Sequence, residues 1–285
     1  MALILKGAPV ANALLACLRA RISALAAQTI TPTLALVQVG ADSSALSYAR
    51  AIDKRCGALG ARVQRFEFDE NVSMQELRSC IEGINHDSSI HGCIIFRPLP
   101  RGLDERSICA ELSPEKDLDG IGPGSLYGVF ADERIGFPPC TAEACLKLLD
   151  HYGIELEGKR VCVLGRSLVI GRPVSLLMQA RDATVTMCHS KTRDLAEITR
   201  EADIVVVAIG HANFVTGDML SPGQVVLDVG INWDARAQKL VGDCDFQAIE
   251  EKVAAITPVP GGIGSITTAV LMEHLVTSAE RALSA

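Results

Sequence analysis

Apolar residues recur at helical spacing from position 10 to 28 (Val10, Leu14, Leu15, Leu18, Ile22, Leu25), which predicts an amphipathic helix. The period then changes. Residues 33–39 form a nearly continuous apolar run of strand length that closes on Gly40, and a helix is expected over 43–59, stopped by Gly60. Residues 62–68 alternate like a second strand. A helix over 74–85 follows, with Ser73 placed to cap it and Glu76 three residues on to complete a capping box. A third strand over 91–96 is broken by Pro98-Leu99-Pro100. The second half repeats this logic. A strand over 159–164 runs into Gly165, a helix covers 173–180, and strands are expected over 183–189, 203–209 and 224–229. A last helix, 266–283, follows the Pro/Gly-rich stretch 257–264. Short apolar strands separated by helices predict parallel βαβ units, hence an α/β fold with doubly wound sheets. The pattern breaks at Gly136-Phe-Pro-Pro-Cys-Thr141, which divides the chain into two domains.

Composition changes this picture little. The 285 residues are 48% hydrophobic and 21% charged, an ordinary globular mixture that excludes a disordered or low-complexity chain. A net charge of −7 argues against a nucleic-acid-binding surface. The longest apolar runs are strand-sized and the N-terminus lacks the layout of a signal peptide, so a soluble, cytoplasmic protein with no membrane partner is expected. The ten cysteines are scattered singly without a C-x-x-C pair, which suggests free thiols and no metal site.

Candidate chemistry begins at the turn Gly165-Arg-Ser-Leu-Val-Ile-Gly171-Arg-Pro173. Glycines between a strand and a helix let backbone amides approach a pyrophosphate, with the helix N-terminus adding partial positive charge. The spacing departs from G-x-G-x-x-G, since Ser167 takes the second position, and a tight turn without ligand would look similar. The next strand ends in Cys188-His-Ser-Lys-Thr-Arg193, where NAD-specific folds carry an acid for the ribose hydroxyls. A hydroxyl and cations suit a 2′-phosphate instead, so NADP is favoured as cofactor, with Arg166 as a further ligand. A solvated charge run is the plainer alternative. His189 reads as structural, and Gly230 in Asp228-Val-Gly-Ile-Asn232 as a close-approach glycine or a plain turn.

Several segments together resemble the FolD family of bifunctional methylenetetrahydrofolate dehydrogenase/methenyltetrahydrofolate cyclohydrolases: Val39-Gly40 with Ser47-Tyr48, Pro98-Leu-Pro100, Pro114-Glu-Lys-Asp-Leu-Asp-Gly120, Pro139-Cys-Thr141, the glycine turn, Cys188–Thr192, Asp228–Asn232 and Thr257-Pro-Val-Pro-Gly-Gly-Ile-Gly264. They keep the family's order over essentially the whole chain. The resemblance implies a folate-binding catalytic domain (1–138, completed by a C-terminal helix 266–285 packing back on it) and a Rossmann-like NADP-binding domain (139–265). It further implies an active site in the cleft between them and a homodimer. Tyr48 matches the tyrosine that packs on the folate, and Asp119 the carboxylate for the pterin's donor edge, a task suited to an acceptor-only group. Pro98, Leu99, Pro260, Gly261 and Gly262 match substrate-binding walls. Thr141, Gly165, Arg166, Ser167, Ile170, Gly171, Ser190, Gly210 and Ile231 fall at cofactor positions.

Two positions depart from the family pattern. Ile52 stands where the family places its acid/base lysine, one helical turn after Tyr48, and Phe96 stands where it places a glutamine. Lys54 points about 200° away on the helix, and alternation along a strand turns Arg97 from the Phe96 direction. Removing the lysine alone would strand a buried amide at a cost of about 1–3 kcal/mol, whereas making both positions apolar avoids it. The expectation is an NADP-dependent dehydrogenase acting on a tetrahydrofolate one-carbon substrate, with cyclohydrolase activity doubtful. The alternatives are a conventional bifunctional enzyme making 10-formyltetrahydrofolate, an inactive folate- and NADP-binding paralogue, and a dehydrogenase for a modified pterin.

Overall fold

The structure, a computed structural model, describes residues 1–40, 43–236 and 238–284. The first half comprises β1 (Leu3–Ile4), α1 (Gly7–Ala26), β2 (Thr33–Val39), α2 (Ser43–Leu59), β3 (Arg62–Phe68), α3 (Met74–His86), β4 (Gly92–Ile95), α4 (Glu105–Glu111), α5 (Pro123–Ala131) and α6 (Cys140–His151). The second half begins with β5 (Arg160–Leu164), α7 (Gly171–Gln179), β6 (Thr184–Cys188), α8 (Leu195–Glu201), β7 (Ile204–Val207) and β8 (Val225–Asp228). It closes with β9 (Asn232–Asp234), β10 (Lys239–Val241), α9 (Phe246–Ile249), β11 (Ala255–Ile256) and α10 (Gly264–Ser284).

The chain forms two compact units, one of residues 13–140 and 268–285, the other of residues 1–12 and 141–267. In the first, β2 is flanked by β3 and β4 in a parallel sheet. Burial explains the order: β2 is buried almost throughout, as a central strand covered on both faces must be, while β3 alternates toward solvent as an edge. α3 lays Leu77, Ile81 and Ile84 against Ala35, Val37, Cys93 and Ile95. Its start is as the sequence predicts, with Ser73 Oγ accepting from the Glu76 amide (3.2 Å) and the Glu76 carboxylate accepting from the Ser73 amide (2.9 Å). The last part of α10 completes this unit. Met272 Sδ lies 3.5 Å from Cys56 Sγ, and Ser278 donates to the Glu115 carbonyl.

By length and composition alone α1 could cross a bilayer, which strand-sized apolar runs do not anticipate. Its Arg21, however, donates to Glu280 (2.9 Å) and Thr277 (2.7 Å) of α10, and Leu18, Ile22 and Leu25 are buried.

The second unit carries a six-stranded parallel sheet in the order β1-β11-β8-β7-β5-β6, a Rossmann-like arrangement. β7, at the centre, is buried at every residue. The register aligns Leu164 with both Cys188 and Val207, and Val207 with Asp228. One carboxyl-end rim of the sheet therefore presents Gly165, His189, the 208–211 turn and the 229–231 turn, where α/β sheets bind ligands. Residues 1–12 join this unit through the β1–β11 pairing, where the sequence reading assigns them to the folate domain. All ten cysteines are free thiols.

Candidate active site

In the unit of residues 13–140, α2 places Tyr48 and Ile52 one turn apart. Ile52 is wholly buried, and the partly buried Tyr48 ring meets Phe96 edge-on at a centroid distance of 6.1 Å. Burial, aided by the negative charge of Asp119, holds the Tyr48 phenol well above its ordinary range and thus neutral. Phe96 still pairs with the sheet, its amide donating to the Val37 carbonyl.

The segment before Gly120 is built as a staple. Lys116 Nζ donates to the carbonyls of Ile84 (2.7 Å), Asn85 (3.0 Å) and Asp87 (2.7 Å), while its own carbonyl accepts from the Cys93 amide. Buried Asp117 accepts from the amides of Ile121 and Gly122 and from Ser125 Oγ (2.6 Å). Lys116 and Asp117 thus hold the segment in place, and Asp119 beside them meets Cys140 and Arg97. Burial pushes its carboxyl up to about 6, against the opposing charge of Arg97.

The sequence reading turns Arg97 from the Phe96 direction and names no partner for it. Its guanidinium lies 3.7 Å from Asp119 Oδ2 and 3.8 Å from Glu105 Oε1. Glu105 Oε2 in turn accepts from the Leu99 amide (2.9 Å), which ties the Pro98-Leu99-Pro100 segment to the same group.

In the other unit, the strand-to-helix turn is backbone-built. Gly165 has φ +120°, and a Cβ there would meet the Ala208 carbonyl at 2.2 Å; one on Gly171 would meet the Gly165 carbonyl at 2.3 Å. α7 has no side-chain cap, but the Arg172 and Val174 amides donate to the Ser167 (3.1 Å) and Ile170 (2.9 Å) carbonyls and Pro173 has no N–H, so the polar groups this turn exposes are Arg166 and Ser167. Ser167 Oγ accepts from the Ile170 amide, and Arg172 Nε donates to the Arg166 carbonyl. At the end of β6, His189 Nδ1 accepts from the Lys191 amide, the structural role expected of it, while Ser190, Lys191 and Arg193 are exposed. Gly210 and Ile231 are exposed on the same rim, and Thr141 is partly buried in the first turn of α6.

Sequence reasoning missed what holds that rim. Asp243, fully buried, accepts from the amides of Ile209 (2.7 Å), Gly210 (2.9 Å) and His211 (2.9 Å) and from Asn232 Nδ2 (2.9 Å). Asp228 accepts from Gly230, Asp243 and Cys244 amides, and burial pushes its carboxyl up to about 6. Asp243 sits outside every motif, and an isolated acid has no sequence signature. Next to these groups a cavity of about 240 Å³ is lined by residues 228–231, Leu240 and 258–265, and so includes Pro260, Gly261 and Gly262.

Comparison with known proteins decides the family. Residues 5–119 match the catalytic domain of tetrahydrofolate dehydrogenase/cyclohydrolase, and residues 139–283 match its NAD(P)-binding domain. The chain belongs to this family. A bifunctional protein FolD of Carboxydothermus hydrogenoformans is 46% identical over 97% of this chain and 96% of its own. The crystal structure of the bifunctional FolD dehydrogenase/cyclohydrolase from Campylobacter jejuni superposes with a TM-score of 0.96 at 36% identity, covering 99% of both chains. FolD of Trypanosoma brucei, solved with NADP and an inhibitor, gives 0.92 at 33% identity over 100% of this chain and 99% of that one. Family members thus share the whole two-unit fold with this chain.

Proposed function

We propose that this chain oxidises 5,10-methylenetetrahydrofolate to 5,10-methenyltetrahydrofolate with NADP, and that hydrolysis of the methenyl product is weak or lost. The observation that carries the second clause is the apolar wall beside Tyr48, where Ile52 is wholly buried and Phe96 meets the tyrosine ring. The resemblance assigns these two positions to a lysine and a glutamine. NADP over NAD is supported by the exposed Arg166, Ser190, Lys191 and Arg193 and by the lack of an acid at the end of β6. Those side chains would hold the 2′-phosphate. The tight turn between Gly165 and Gly171 would take the pyrophosphate, with Thr141, Ile170, Gly210 and Ile231 along the remainder.

When bound, the nicotinamide accepts the hydride that leaves the methylene carbon. Asp119 accepts hydrogen bonds from the pterin's N–H edge, Tyr48 packs on the substrate, and Pro98 and Leu99 line its path, so the protein's part in this step is positioning. Hydrolysis differs because it needs an activated water and proton movement, for which positioned acid/base groups contribute about 10²–10⁴-fold. A neutral Tyr48 phenol, held so by burial and by the charge of Asp119, is a weak base for that purpose. A homodimer is proposed from the family resemblance.

Steady-state assays of both half-reactions test this reading, in the wild type and in the double variant Ile52→Lys/Phe96→Gln. The double variant is expected to gain about 10²-fold in ring-opening with oxidation nearly unchanged. The conventional bifunctional reading is favoured by the 46% identity to a protein named bifunctional, and brisk wild-type hydrolysis would establish it. Binding of folate and NADP with no redox turnover would mark an inactive paralogue.

A further inference from the structure

We propose that Arg97 is a positioning residue for the substrate, acting through Asp119: bridged to Glu105, its guanidinium fixes that carboxylate as the acceptor for the pterin's N–H edge. This rests on the folate reading above. The resemblance implies a Gln-Leu-Pro-Leu-Pro run where this chain reads Phe96-Arg97-Pro98-Leu99-Pro100, and so a leucine at this position.

The geometry is a relay. Leu99 donates to Glu105, Glu105 faces one guanidinium nitrogen at 3.8 Å, and the other lies 3.7 Å from Asp119. Arg97 is itself only a quarter exposed, and its charge also acts on Asp117. The groups facing Asp119 come from every neighbouring element: Asp117 on its own segment, Tyr48 on α2, Cys109 on α4, Cys140 at the start of α6 and His274 on α10. Burial and Asp117 favour the protonated acid, and Arg97 is the foremost opposing charge. A protonated Asp119 would present a donor where two N–H groups need an acceptor. A bridging cation also restricts the carboxylate's rotation, at a contact loose enough to leave lone pairs for the ligand.

The test compares wild type with Arg97→Leu and Arg97→Lys, each checked for folding by thermal melting; Arg97→Gln replaces the leucine variant should that one not fold. Carbon-13 NMR of aspartate-labelled protein, with Asp119→Asn to assign the signal, reads the carboxyl directly. Its titration midpoint is expected to rise by about one pH unit in Arg97→Leu and to return in Arg97→Lys. Calorimetric Kd values for tetrahydrofolate should be about threefold weaker than wild type at pH 6.5, approaching tenfold near pH 5, and unchanged at pH 8.5. A weakening equal at all pH values, or an unmoved midpoint, would overturn the proposal. The NMR arm needs neither folate binding nor turnover, so failure of the enzymatic reading would be seen separately.

Discussion

The rim of the six-stranded sheet and the Tyr48–Asp119 region, the two proposed ligand sites, are built of different materials. The rim is made of backbone, with two glycines at a tight strand-to-helix turn and neighbouring turns held by buried carboxylates. The other is made of side chains, and three of those, Ile52, Phe96 and Arg97, differ from the pattern that the resemblance implies. A backbone site leaves glycine spacing in the sequence and tolerates changes around it. A side-chain site can be rewired by three substitutions, Ile52, Phe96 and Arg97, without disturbing its strands or helices.

Substitutions on either side should separate cleanly. The largest effect is expected for Gly165→Ala, because the added carbon meets the Ala208 carbonyl in a left-handed backbone; about 3 kcal/mol of strain should cut NADP affinity by roughly 10²-fold. Titration with NADP and with tetrahydrofolate should show the loss for the first ligand only. Asp119→Ala should do the reverse, weakening folate by about 10–10²-fold through lost charge-assisted bonds while sparing NADP. If both ligands weaken together in either variant, the division of labour is wrong.

A smaller effect concerns pH. Burial raises the Asp228 carboxyl from near 4 to about 6, so the folded chain holds a proton there that the unfolded chain has already released. The stability this group contributes is complete below about pH 4 and lost as pH rises through about 6, a change of about 2–3 kcal/mol. Urea unfolding at pH 4.5 and 7 should show a smaller decline in Asp228→Asn than in wild type, the remainder coming from groups such as Asp119 that burial raises likewise.

Much of the architecture was legible because its strands are local and strongly patterned. β2, α2 and β3 begin and end where periodicity and glycines place them, and the Ser73–Glu76 box forms. β1, β11 and the β9–β10 hairpin were not, for a physical reason. Two- or three-residue strands carry no period, and they exist through partners such as Ala255 for Leu3 or the cross-strand pair Trp233–Leu240. Arg97 escaped for another reason: alternation gives a direction relative to Phe96, but its neighbours Asp119 and Glu105 come from other segments of the chain.

The pairing of β1 with β11 has a bearing on how the chain comes together during synthesis. The β2–β3–β4 sheet has all its strands once Ile95 has been made, so that half can begin to fold early. β1 is made before the other strands of this sheet yet must wait for Ala255 and Ile256, a closure across about 250 residues of chain. An early strand is thus among the late ones to find its place.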